Sequence, residues 1–250
     1  MATPKTFVLV HGSWHGSWCW DKVVPLLRKG GHRVVALDLP GRAGDQTPAK
    51  KVTLASFANK ICDVVSREVE PVVLVGHSMA GIAITQAAEN CSEKIETLIY
   101  VCGFLLKNGQ SLAEIYRTAG QGLTLDNLLF DEARGTISFT KNAPLREIFY
   151  HDCSDEDFER AKGLLVPEPA GPRETPLRTS DSGFGRIPRV YVETLQDRSI
   201  PPSLQKRMYS ELPCREVIPM NTGHSPFLAA PEELAAHLLS SAAEEAQQIQ

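Results

Sequence analysis

The stretch Val72-Val73-Leu74-Val75-Gly76-His77-Ser78-Met79-Ala80-Gly81 holds a strand, a turn and the start of a helix in ten residues. Four consecutive apolar residues, three of them β-branched, read as a strand buried on both faces, and a helical pattern opens at Met79. Ser78 stands between the two, at the tight strand-to-helix turn known as a nucleophile elbow. The serine backbone is strained in such a turn, so the residues two before and two after it have to be small. Gly76 and Ala80 meet that demand. Ala80 departs mildly from the glycine of the strict G-x-S-x-G form, and Gly81 and Ala83 keep the start of the helix slim.

Outward from the elbow, short Val/Leu/Ile-rich runs recur: Phe7 to Val10, Arg33 to Leu37, Thr97 to Val101, Arg189 to Leu195, and a weaker one at Glu216 to Met220. Helical patterns lie between most of them, at Asp21 to Arg28, Thr53 to Arg67, Met79 to Asn90, Pro202 to Leu212 and from Pro231 onwards. Alternation of this kind predicts βαβ units and a mostly parallel, doubly wound sheet. Some eighty residues between Val101 and Arg189 break the rhythm and are too long for a simple connection. Residues 1–104 and 186–250 are therefore expected to form the core. Residues 105–185 are expected to form an inserted, mainly helical cap, with the apolar pieces Leu123 to Phe130, Leu145 to Tyr150 and Phe158 to Val166.

At 250 residues, 42% hydrophobic, 22% charged and net charge −4, the chain has the composition of an ordinary globular domain. No basic field invites nucleic acid, and the apolar run after Thr6 is too short for a signal h-region or a membrane span. A cytoplasmic location is expected. The six cysteines form no C-x-x-C pair and read as reduced core thiols. The Ala/Glu/Gln-rich tail from Ser240 to Gln250 reads as the frayed end of a helix.

A serine hydroxyl needs a base, and the base needs an acid that fixes its tautomer and balances its charge. The expected chain order is Ser, acid, His. His224 follows the last strand in Asn221-Thr222-Gly223-His224, and Asp197 directly follows the strand ending at Leu195. These are the candidate base and acid; Glu193 competes for the acid role but lies inside the strand. The oxyanion formed on attack requires two N–H donors. Met79, next after the nucleophile, offers one; Ser13, in the loop Val10-His11-Gly12-Ser13-Trp14, offers the other, with Gly12 letting that backbone approach the substrate. No Asp, Glu or Cys completes a ligand set around His11 and His15, so no metal is expected. Of the tryptophans, Trp14 is the one expected in the pocket lining.

These residues resemble the methylesterase and hydroxynitrile lyase group of α/β-hydrolases. The resemblance spans nearly the whole chain, through Phe7 to Gly12, Trp18-Cys19-Trp20, Gly31 to Leu39, the elbow, Cys153 to Asp157 and Phe184 to Pro201. It implies the α/β-hydrolase fold, a triad of Ser78, Asp197 and His224, and Phe104 at the pocket wall. The lyases of that group carry a threonine and a lysine where this chain has Gly12 and Ser225, so the esterase branch is the one resembled. The expected activity is that of a serine esterase, without cofactor, acting on a hydrophobic small-molecule ester such as a methyl ester. A lactonase would use the same triad. A non-turnover ligand receptor and a hydroxynitrile lyase are the alternatives of other classes.

Overall fold

The computed structural model describes residues 3–42, 45, 47–119 and 124–243. Leu123, expected in the inserted segment, and the tail beyond Ala243 lie outside the described residues. Six parallel strands form the central sheet: β1 (Thr6–Val10), β2 (Arg33–Leu37), β3 (Val72–His77), β4 (Ile95–Val101), β8 (Arg189–Thr194) and β9 (Glu216–Met220). Their spatial order is β2-β1-β3-β4-β8-β9. The chain thus leaves β1 for β2 on one side and returns to β3 on the other. The crevice outside the carboxyl ends of β1 and β3 is the topological switch point where open α/β sheets bind ligands.

The strands alternate their side chains between two apolar layers. Val8, Val10, Leu74 and Leu98 face helices α2 (Leu54–Val65) and α3 (Ala80–Asn90), while Phe7, Leu9, Val75 and Ile99 face α1 (Val23–Lys29) and α10 (Pro231–Ala243). Both layers are buried, which is why these strands read as unbroken apolar runs.

Between β4 and β8 the chain forms α4 (Leu112–Ala119), α5 (Leu145–Phe149), α6 (Asp155–Leu164) and the short α7 (Gly171–Glu174). It also forms a small antiparallel sheet of β5 (Leu128–Asp131), β6 (Thr136–Phe139) and β7 (Glu168–Pro169). A mainly helical reading of this segment does not foretell these strands, because each is only two to four residues long and too short to carry a period. The helices α8 (Pro202–Glu211) and α9 (Pro226–Ala229) complete the chain. No described helix is long and apolar enough to cross a membrane.

The cysteines depart from the expectation that all six are reduced. Cys62, on α2, and Cys91, just past α3, form a disulfide, with Cα atoms 6.0 Å apart. Twenty-nine residues separate them in sequence, and only the side-by-side packing of two helices brings them within bridging range. Cys19, Cys102, Cys153 and Cys214 are free.

The start of α3 shows why the elbow tolerates Ala80 but depends on its glycines. A Cβ at position 76 would come within 3.0 Å of the Ala80 carbonyl oxygen, and one at position 81 within 2.5 Å of the Phe104 backbone N and O. The second contact is backbone on backbone and has no side chain that can yield. Gly81→Ala is expected to lower stability by about 1–3 kcal/mol, the usual scale for overpacking, or by more where backbone must shift. A lowered urea midpoint at unchanged slope is the measurement; an unchanged midpoint would refute the close approach.

Candidate active site

Each strand that ends at the switch point hands the chain to a residue needed there. Among the described residues three non-glycines adopt positive φ: Trp14 (61°), Ser78 (54°) and Cys102 (36°), in the segments that follow β1, β3 and β4. Strain of this kind persists only where surroundings hold it. At Ser78, the N–H donates to the Val101 carbonyl at 3.1 Å, and the serine carbonyl accepts from Gly81 and Phe104 N–H, both at 3.0 Å. At Trp14, the backbone N–H donates to Glu168 Oε2 (2.8 Å) and the indole N–H to the Ile137 carbonyl (2.9 Å).

The structure brings Ser78, His224 and Asp197 together. Ser78 Oγ is 3.1 Å from His224 Nε2, and His224 Nδ1 is 2.8 Å from Asp197 Oδ2. All three are buried, with Ser78 retaining 8% exposure. A hydroxyl donating to Nε2 and an Nδ1–H donating to a carboxylate select one tautomer of the imidazole.

Asp197 is held on both oxygens. Oδ1 accepts the N–H groups of Ser199 and Ile200 at 2.8 Å each, and Oδ2 accepts the Thr194 hydroxyl at 3.0 Å as well as the histidine. Gln205, buried on α8, ties this turn together: its Oε1 accepts Thr194 N–H (3.1 Å) and its Nε2 donates to the Ile200 carbonyl (2.8 Å). Gln205 carries no sequence signal of this role, since a lone glutamine on a helix reads as a surface residue.

Two histidines beside the site are structural. His77 donates from Nε2 to the His224 carbonyl at 2.8 Å, and His15 sits between the Ser13 carbonyl (2.8 Å from Nδ1) and the Tyr150 hydroxyl (2.7 Å from Nε2). His11 accepts the Leu39 N–H at 3.1 Å. His77, Cys102 and His224 place ligand-type atoms within 4.8 Å of one another. That set suits a metal poorly: His224 serves Ser78 and Asp197, His77 holds the His224 carbonyl, and burial pushes the Cys102 thiol well up, so it stays protonated.

Burial also lowers the histidine pKa values, to about 3 for His11, where Arg42 adds repulsion, to about 4 for His15, and well below the ordinary range for His77. Their unfolded value is near 6.5. Between these limits the unfolded chain binds protons that the native chain cannot, so stability must fall as pH drops below about 6.5. The expected slope is about 1.4 kcal/mol per pH unit for each such histidine. Urea midpoints measured from pH 7.5 to 5 should decline steeply below 6.5, and a flat profile would contradict neutral burial of all three.

The candidate oxyanion donors converge as well. Ser13 and Met79 line one cavity together with Trp14, Leu112, Tyr116, Glu168, Pro169, Pro172 and Arg173. Neither the Ser13 nor the Met79 N–H donates a hydrogen bond among the described residues. Met79 is buried and Ser13 half-buried, and backbone amides left free in such surroundings are rare. Trp14 lies in the lining, where the sequence places it. Phe104 is fully buried with its ring 5.4 Å from the ring of Tyr116, and of the two only Tyr116 lines this cavity. Gly12 and Ser225 are buried next to the reacting groups and also lie outside the cavity lining.

Sequence reasoning missed Tyr116, Glu168 and Arg173, which come from α4, β7 and α7. Glu168 in particular reaches the loop after β1. Its Oε2 accepts the Trp14 N–H and pairs with buried Arg42, which also donates to the His15 carbonyl at 3.1 Å. No motif spacing links positions 14, 42 and 168.

Comparison with known proteins agrees with this architecture. The alpha/beta hydrolase family matches residues 7–237. Methylesterase 2 of Arabidopsis thaliana is 31% identical, over 94% of this chain and 95% of its own. "Putative methylesterase 11, chloroplastic" of the same plant is also 31% identical over 94% of this chain, which spans only 63% of that longer protein. Among solved structures, a pyrethroid hydrolase from Sphingobium faniae JZ-2 superposes with a TM-score of 0.88 at 28% identity, covering 98% of this chain and all of that one. With the six-stranded parallel sheet, the elbow after its third strand and these matches over nearly its full length, the chain belongs to the alpha/beta hydrolase family and groups there with the methylesterases.

Proposed function

We propose that the protein is a serine hydrolase that cleaves carboxylic esters of small molecules. The observation that carries the reading is the hydrogen-bonded series Ser78 Oγ, His224 Nε2, His224 Nδ1 and Asp197 Oδ2, opening beside two amides with no acceptor of their own. In this reading His224 takes the Ser78 proton as Oγ attacks the ester carbonyl. The oxyanion is met by Ser13 and Met79 N–H. The protonated His224 returns its proton to the leaving alcohol, and the resulting acyl-enzyme is cleaved by water activated at the same imidazole. Asp197 balances the imidazolium in both steps.

The names of the relatives, methylesterases and a pyrethroid hydrolase, support an ester rather than another acyl derivative. Residues 105–185 act as a cap over the site in this proposal, supplying Tyr116, Glu168 and Arg173 to the cavity wall. A cytoplasmic location is part of the same proposal.

Cyanohydrin cleavage is disfavoured by the neighbours of Ser78. A Cβ at position 12 would stand 2.8 Å from both His77 Nδ1 and Ser78 Cβ, so the threonine of the lyases would require these two side chains to shift. Ser225 supplies no ammonium for departing cyanide. The reading is tested by assaying wild type and Ser78→Ala with p-nitrophenyl acetate and butyrate, an acyl-homoserine lactone and mandelonitrile. Ester turnover that vanishes in the variant is expected. Ligand-induced stabilisation without any turnover would favour a receptor instead.

A further inference from the structure

The cavity wall contains a buried guanidinium without a counter-charge. Arg173 is 8% exposed, its Nε is buried with no hydrogen-bond partner, and among the described residues it forms no ion pair. What it has are two ring faces: its Cζ lies 5.0 Å from the centroid of Tyr116 and 5.6 Å from that of Phe130. Ring faces attract a cation but do not replace the water or carboxylate removed by burial.

Arg42, on the same side of the molecule, shows what a satisfied buried arginine looks like here. It pairs with Glu168 and donates to the carbonyls of His15, Gly41 and Pro167. Glu168 is therefore balanced, even though its Oε1 has no partner. Two guanidinium groups set against one carboxylate leave the wall one positive charge in excess, and Arg173 carries it. Arg173 and Tyr116 also line an outer groove with Ala113, Arg117, Leu125, Phe130 and Glu174. Arg117, Arg173 and Glu174 together leave that groove with one positive charge in excess. Arg173 is thus the uncompensated group common to the outer groove and the cavity lined by Ser13 and Met79.

We propose that Arg173 binds a carboxylate of the substrate, so that the preferred esters carry a second acid group, as monoesters of short dicarboxylic acids do. The inference rests on the ester reading above and narrows its substrate class. The inner cavity is tight, about 10 Å³, and it shares Tyr116 and Arg173 with the outer groove of about 360 Å³, which favours a short acyl chain. The free amides of Ser13 and Met79, which can meet an oxyanion, and the guanidinium of Arg173, which can pair with a carboxylate, belong to residues that line the same cavity.

The test compares mono-p-nitrophenyl glutarate with p-nitrophenyl butyrate for wild type, Arg173→Met and Arg173→Lys. Binding of monomethyl glutarate to Ser78→Ala, with and without Arg173→Met, is measured by calorimetry. Wild type should favour the acidic ester at least tenfold in kcat/KM. Arg173→Met should lose that ester at least thirtyfold while keeping the neutral one within threefold, and Arg173→Lys should recover part of the preference. An equal ratio in wild type and Arg173→Met, or a loss of melting temperature with both esters falling together, would overturn the proposal and leave Arg173 a packing residue. If neither ester is cleaved but monomethyl glutarate binds in an Arg173-dependent way, the ester reading fails and the carboxylate site stands.

Discussion

Replacing Ser78 with alanine is expected to lower kcat for p-nitrophenyl butyrate on the order of 10⁶-fold, the scale seen when subtilisin loses its nucleophile or base. His224→Ala should cost about as much, and the double variant no more than either. The reason is the 3.1 Å contact between Oγ and Nε2. A hydroxyl without a base is almost never an alkoxide at neutral pH, and a base without a hydroxyl has nothing bonded to it to activate. The two side chains act as one group, so removing the second removes nothing further. Residual activity over water should persist, because the Ser13 and Met79 amides belong to the backbone and survive both substitutions. Melting temperatures should barely move for Ser78→Ala, whose hydroxyl has only His224 as a protein partner among the described residues. Losses that multiply in the double variant, or an alanine variant that keeps more than about one part in a hundred of the rate, would mean another nucleophile.

The second large effect is expected from Asp197→Asn, about 10⁴-fold in kcat, as for the equivalent change in the serine-protease triad. The hydrogen bonds around the carboxylate specify how the damage arises. Oδ1 accepts two backbone N–H groups, and Oδ2 accepts both the Thr194 hydroxyl and the His224 Nδ1–H. An asparagine must keep its oxygen towards Ser199 and Ile200, which turns its NH₂ towards His224. The imidazole can then meet the amide only with a bare Nδ1, which puts its proton on Nε2, where Ser78 needs an acceptor. The inverted tautomer removes the base while leaving the site folded. Because Gln205 and Thr194 are also donors facing that NH₂, some loss of stability should accompany the kinetic effect. Recovery of rate at raised pH would support the tautomer argument; a variant with near wild-type kcat would refute the role given to Asp197.

The parts of this molecule legible in the sequence are those in which one local segment meets one local demand. Strand β3 and the elbow can be read because apolar runs, small flanking residues and the helix after them occupy ten consecutive positions. Ser13, Met79, Asp197 and His224 can be read because each comes within a few residues of a strand's end, and parallel strands deliver their C-terminal ends to the same edge. Order along the chain is enough to assemble them.

The segment between β4 and β8 behaves differently. Its strands are two to four residues long, its contribution to the cavity comes from three separate elements, and its anchoring passes through contacts such as Glu168 to Trp14 across 154 positions. The Cys62–Cys91 bridge and the buried Gln205 belong to the same class, since both depend on which helix lies against which. Residue order alone dictates the sheet, the position of the candidate nucleophile and the sequence of its partners, because backbone sterics and strand direction are local properties that each residue carries with it. Packing in three dimensions sets what walls the cavity and leaves Arg173 uncompensated there, because a charge is balanced or unbalanced by its neighbours in space, and no local pattern names those neighbours.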